Sequence, residues 1–203
     1  MDCKDLVEDI VKTEFTMFDQ VNNEGGRAGC QDNWPTFHLM RSAQFESWNE
    51  KTLSSYRMDL EQALTEGRNL LTEKYAYMME YSSPDEYERI RDRLPVCSPE
   101  KNELVEKLLK IFLIQTEEFM EEYPSFRKNS RPVYADDDRP YFTSIETYTR
   151  GELKTYSERT LRLYLEWIKA EAEQGRKIVY RIYENTAHGY GYGTLREADE
   201  AHR

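Results

Sequence analysis

Three ionisable residues fall where an amphipathic helix would place leucine. Turned at about 100° per residue, the segment from Asp5 to Val21 gathers Leu6, Val7, Ile10, Val11, Phe15, Met17, Phe18 and Val21 in one arc, and Glu14 stands near its middle. Lys74 lies inside the arc of Leu70, Leu71, Tyr75 and Met78, nearer its edge, and Glu152 sits one turn from both Tyr148 and Tyr156. Gln115 and Thr116 interrupt an apolar face between Phe112 and Phe119. Burying an unpaired charge is costly, so inward charges on separate helices must meet one another or a ligand. Two carboxylates and a lysine brought together inside a bundle would supply an acid, a base and a charge anchor, their pKa values set by burial and proximity. The same residues also fit a plainer arrangement, a buried Glu–Lys pair with tyrosine hydroxyls that fixes helix register. Spacing alone leaves both open.

The elements that carry these residues are punctuated clearly. Asn22 to Asn33 holds three glycines and three asparagines and reads as a loop, after which Trp34-Pro35, with Thr36 as cap, opens a helix carrying Phe37, Met40, Arg41, Gln44, Phe45 and Trp48. Helical patterns follow over Leu53 to Leu64 and Asn69 to Glu80. Ser83-Pro84 and Ser98-Pro99 read as capped starts with proline in the first turn, the second opening a long apolar helix over 99–123 that belongs at a bundle centre. Residues 124–143, with Pro124, Pro132 and Pro140, read as a long loop. The capping box Thr143-Ser144-Ile145-Glu146 predicts one helix from 144 to 172, and 177–188 fits a helix better than a lone strand. Gly189 to Gly193 is a turn, and Thr194 caps a short last helix. The expected fold is all-α, a single domain over 1–203 of seven to nine helices packed around 99–123, with the 22–34 and 124–143 loops at its rim.

Composition limits the function. The 203 residues carry 28 Lys+Arg against 39 Asp+Glu, a net charge of −11, which repels phosphate backbones, so no nucleic-acid partner is expected. The longest apolar run, Ile111 to Ile114, is far short of the roughly 20 residues that cross a bilayer, and the first residues lack a leader pattern, so no membrane partner is expected and the location read is cytoplasmic. Cys3, Cys30 and Cys97 are too widely spaced for a disulfide framework or a paired metal site. Glu184 and His188 align on one helical face, yet with three histidines and no Glu-x-x-His pair a carboxylate-bridged metal bundle is disfavoured, and no metal ligand is assigned. Cys30, with Arg27 nearby and His38 as base, has the types of a nucleophilic pair; a small packing residue explains it more simply. The Asn22 to Gln31 loop matches neither phosphate-loop nor dinucleotide spacing.

Several stretches carry a resemblance: Val21-Asn22-Asn23-Glu24-Gly25-Gly26-Arg27-Ala28 with Cys30-Gln31, then Gly67-Arg68-Asn69-Leu70-Leu71-Thr72-Glu73-Lys74-Tyr75, Arg150-Gly151-Glu152-Leu153 and Glu184-Asn185-Thr186. Over essentially its whole length the chain resembles a bacterial family of about 200 residues known as a domain of unknown function. The resemblance implies a self-contained domain and carries no settled activity. Lys74 and Glu152 both fall in its marked segments.

The functional expectation is a binder or enzyme for a small polar or anionic molecule, the one partner anticipated, with no cofactor, oligomeric state or reaction indicated. Glu14, Glu152 and Lys74 are its candidate catalytic groups. Glu24, Arg27, Gln31, Arg41, Gln44, Tyr75, Gln115, Tyr148, Arg150, Tyr156 and Asn185 are its candidate ligand-binding residues. The contrasting expectation is a protein-interaction or scaffolding module that works through its acidic surface and the 124–143 segment.

Overall fold

The computed structural model describes residues 2–22, 26–139 and 142–202. Among these residues the chain forms eleven α-helices, and its β structure is a single isolated antiparallel bridge between Arg139 and Phe142. The fold is an all-α multi-helix bundle.

Helix α1 (Cys3–Asp19) starts at a capping box formed by Asp2 and Asp5, and buries Leu6, Val7, Ile10, Val11, Met17 and Phe18 along the arc its spacing predicts. Its face packs on α2 (Trp34–Phe45), α3 (Glu50–Thr65) and α4 (Leu70–Ser82). Asparagine starts all three: the side chains of Asn33, Asn49 and Asn69 accept from the amides of Thr36, Thr52 and Thr72. The cap of α2 is therefore Asn33 and not Thr36, because the asparagine oxygen already takes the Thr36 N–H. Helix α5 (Pro84–Ile90) begins on proline without help from Ser83, whose side chain makes no cap bond. Ser98 does cap α6 (Pro99–Glu122), which buries Leu104, Val105, Leu108, Leu109, Phe119 and Met120 against its neighbours and reaches the surface at Ile114.

Two expectations need correcting. The 124–143 stretch is not a plain loop: it holds α7 (Pro124–Lys128), a 3-10 turn over Ala135–Asp137 and the Arg139–Phe142 bridge, elements too short to leave a periodic trace. The helix expected over 144–172 is two, α8 (Ile145–Leu153) and α9 (Glu158–Glu173). Ser157 breaks it by capping α9, accepting the Thr160 N–H at 3.2 Å, while its own N–H donates to Asp59 of α3 at 2.9 Å. The break turns Tyr156 inward to full burial. This extra division and the short helices account for eleven where seven to nine were expected. Helix α10 (Ile178–Gly189) and α11 (Leu195–Ala201), the latter capped by Thr194, complete the chain.

The close approach of α8 to α4 depends on Gly151. A Cβ there would stand 2.7 Å from the Met78 side chain and 2.9 Å from the Lys74 carbonyl oxygen, closer than atoms can pack. Glycine weakens a helix interior by roughly 0.5–1 kcal/mol relative to alanine, and here it lets Glu152, the next residue, come level with Lys74.

Candidate functional site

Four helices each deliver one charged side chain to a common point, and all four are buried: Glu14 from α1, Arg41 from α2, Lys74 from α4 and Glu152 from α8. Arg41 is the bridge. Its Nε and Nη2 donate to the two oxygens of Glu14, each at 2.6 Å, and its Nη1 donates to both oxygens of Glu152 at 3.0 and 3.1 Å. This paired geometry suits a planar guanidinium and would not be met by lysine. Lys74 approaches Glu152 from the other side, Nζ to Oε2 at 2.6 Å, with its ammonium 3.6 Å from the centre of the Tyr148 ring.

Neutral donors complete the shell. Tyr56 of α3 donates to Glu14 and Tyr156 to Glu152, both at 2.6 Å; Gln44 donates to Glu152 at 2.7 Å and accepts from Arg41 at 2.7 Å. Two carboxylates face two cations, so the cluster sums to zero charge. An aromatic wall encloses it: Arg41 lies 4.7 Å from the Phe45 ring centre, and Phe45, Trp48, Tyr56, Tyr156 and Tyr164 make a chain of ring contacts behind.

The proton positions follow from this packing. Burial alone would raise the Glu152 pKa, but Arg41 and Lys74 outweigh it and hold the carboxyl well below its ordinary range. Burial likewise works against the charges of Arg41 and Lys74, and their carboxylate neighbours reverse it, so both pKa values lie above the ordinary ones. Burial, reinforced by Glu14 and Glu152 respectively, pushes the Tyr56 and Tyr156 phenols well up. Around neutral pH, Glu152 is therefore anionic, Arg41 and Lys74 cationic, and both phenols protonated.

The three inward charges read from spacing thus meet, together with Arg41, Gln44, Tyr148 and Tyr156. Tyr75 stands beside them, half-buried, stacked on Phe18 with ring centres 6.2 Å apart, its phenol pushed up to about 12 chiefly by burial. The other candidates lie elsewhere. Arg27 is exposed and holds Asp19 and Asp32, folding the loop onto α1. Gln31 donates to the carbonyls of Phe18 and Val21 at 2.8 and 3.0 Å and accepts the Ala28 N–H, so it ties the loop to the end of α1. Gln115 accepts the Val179 N–H at the start of α10, and Asn185 donates to the Ala43 carbonyl. Arg150, one helical face away from Glu152, pairs with Glu106 and Glu146. Glu24 lies outside the described residues. Cys30 is exposed, and His38 pairs with Glu8 at 2.7 Å.

Tyr56 is the member that sequence reasoning missed. It follows Leu53 by three residues and precedes Leu60 by four, so its inward face was legible; its partner was not, because a phenol at a core position reads equally as a packing ring. Among the described residues no group of three or more His, Cys, Asp or Glu side chains is arranged to hold a metal ion, and no helix is long and apolar enough to cross a membrane.

A family model described as "Protein of unknown function (DUF4125)" matches residues 4–200. No curated protein and no solved structure matches the chain.

Proposed function

The chain belongs to this family of unknown function, and on that premise we propose that it binds a small polar or anionic molecule at the Lys74 edge of the buried charge cluster. One observation carries the reading. Lys74 is 2% exposed, yet among the described residues its ammonium, with three donors, makes one hydrogen bond, to Glu152, and otherwise lies on the Tyr148 ring. Arg41, by contrast, spends all three of its nitrogens on Glu14, Glu152 and Gln44. The residues beside Lys74, Tyr75 and Tyr148, are only half-buried, so rotation of these rings would open the ammonium to a ligand oxygen. In this reading Lys74 contacts the ligand, Tyr75 and Tyr148 wall it, and Glu14, Arg41, Glu152 and Tyr156 hold the ammonium in place.

The proton positions favour binding over acid–base chemistry. An acid or base works best with a pKa near the operating pH, and Glu152 and Lys74 are pushed away from it in opposite directions. Catalytic roles for Glu152 or Lys74 would require a ligand that first separates Glu152 from its two cations, and one for Glu14 a ligand that displaces Arg41.

Native mass spectrometry of the freshly purified protein, followed by melting of the wild type and Lys74→Met with the phosphate-free anions citrate and succinate, tests this. The reading expects a retained small mass or an anion-dependent rise in melting temperature that Lys74→Met loses. A bare chain mass with no response to either anion, or a response that survives Lys74→Met, would overturn it. One observation favours the interaction-module reading instead: Ile114 and Tyr134, 50% and 46% exposed, line a groove of about 270 Å³ beside Arg150, and Phe142 is 46% exposed nearby in sequence.

A further inference from the structure

A groove lies at the corner between α9 and α10, and none of its lining residues belongs to the charge cluster. It measures about 510 Å³, within the range of small-molecule sites, and is lined by Arg176, Lys177, Tyr180, Arg181, Glu184 and Asn185. Three cations within six residues form part of one concave wall in a chain whose net charge is −11. We infer that this groove binds the phosphate of a phosphorylated small molecule.

The cations are braced from outside the lining. Glu171 is 1% exposed; it takes the Nε and Nη2 donors of Arg176 and, at 3.3 Å, the Nη1 donor of Arg181. Burial raises the Glu171 carboxyl, but the hydrogen bond from Arg176, the largest influence, holds it below its ordinary pKa and so keeps it anionic. Lys177 pairs with Glu118 at 3.1 Å and lies 4.8 Å from the centre of the Tyr180 ring. Among the described residues this leaves Arg176 Nη1, together with Nε and Nη2 of Arg181, without a protein partner. Their orientation is nevertheless fixed by the bonds to Glu171.

Side chains held in this way lose less freedom on binding than free surface arginines. Guanidinium forks match phosphate oxygens in geometry, and the start of α10, where Lys177 supplies no side-chain cap, adds a positive field of the same sign. Glu184 is the one carboxylate in the lining, and the Tyr180 ring gives the groove an aromatic face for the organic part of the ligand. The concave shape and the acidic remainder of the chain favour a free phosphate ester over a phosphate-bearing membrane surface.

The test is calorimetric titration with inorganic phosphate and with phenyl phosphate at constant ionic strength, on the wild type, Lys177→Glu, Arg181→Gln and Lys74→Met. Lys177 is exposed, so its reversal leaves the fold intact; Arg181→Gln keeps Arg176 on Glu171. The inference predicts binding of both probes, tighter for phenyl phosphate, weakened about tenfold or more by Lys177→Glu and by Arg181→Gln, and unchanged by Lys74→Met. It is overturned if neither probe binds, or if chloride at matched ionic strength gives the same heat. Loss on Lys74→Met alone would assign the phosphate to the buried cluster and reject this groove while sparing the proposed function. Co-sedimentation with phosphatidylcholine vesicles containing phosphatidic acid should leave the protein in solution, and retention on them would overturn the small-molecule assignment.

Discussion

Replacing Glu152 by glutamine strands Lys74. Among the described residues that ammonium has one hydrogen-bond acceptor, Glu152 Oε2 at 2.6 Å, and it is 2% exposed. Breaking a buried ion pair from one side costs about 3–5 kcal/mol, because the surviving charge keeps its desolvation penalty. In a domain of this size each kcal/mol lowers the melting temperature by about 2–4 °C, so Glu152→Gln should melt roughly 6–20 °C below wild type. Lys74→Met is the informative contrast. It leaves Glu152 with Arg41, Gln44 and Tyr156 as donors and fills similar volume, so it loses one charge-assisted bond worth about 1.5–3 kcal/mol. The double variant should be more stable than Glu152→Gln alone, since it removes the stranded cation. The pH dependence has a definite sign. In Glu152→Gln the unpaired Lys74 loses its proton more easily folded than unfolded, so the unfolded state binds more protons and the deficit against wild type shrinks as pH rises toward 10.5. Thermal and urea unfolding of the three variants near neutrality and at about pH 9.5 measure all of this. A Lys74→Met loss equal to or larger than that of Glu152→Gln, or a deficit that widens with pH, would refute the reasoning.

Three other outcomes follow from the geometry. Glu152 has a depressed folded pKa, so its contribution is complete above its ordinary value of 4.5 and is lost only as pH falls through the lower folded value; acid unfolding followed by circular dichroism should show that loss below pH 4.5 and none above it from this group. Gly151→Ala should destabilise by about 1–3 kcal/mol through overpacking, because one clash is with the Lys74 backbone, which cannot rotate away, and the Lys74–Glu152 coupling measured by a double-mutant cycle should shrink with it. Tyr56 and Tyr156 have raised phenol pKa values, so a phenolate absorbance titration should show them protonated above pH 10 until the chain unfolds, and Tyr156→Phe should lower stability by about 1.5–3 kcal/mol by leaving Glu152 a donor short.

The helical character of the chain was legible because its apolar residues recur at helical spacing and some of its caps show in the sequence: Ser98 and Thr194 each accept from an amide three residues on. The inward turn of Glu14, Lys74 and Glu152 was legible for the same reason, since a charge on an apolar arc marks itself. What periodicity cannot supply is distance across the bundle. Arg41 stands on α2 among residues of mixed character, and nothing in its spacing says that it spans two carboxylates contributed 27 and 111 residues away. The break after Leu153 was hidden because helical spacing continues through it, while the cause, Asp59 receiving the Ser157 N–H, lies 98 residues distant. Gln115 looked like a site residue because it interrupts an apolar face, and Gln31 and Asn185 because they fall in the segments that carry the resemblance; each in fact satisfies a backbone group at a helix or loop end, a role set by tertiary contacts.

The central claim is that Glu152 is an ionised carboxylate held between Arg41 and Lys74 inside the protein. A carbon-detected NMR titration of the Glu152 side-chain carboxyl reads that state directly. The account predicts a shift that stays at its ionised value as pH is lowered past 4.5 and changes only with unfolding; a simple titration centred at or above 4.5 in the folded chain would contradict it.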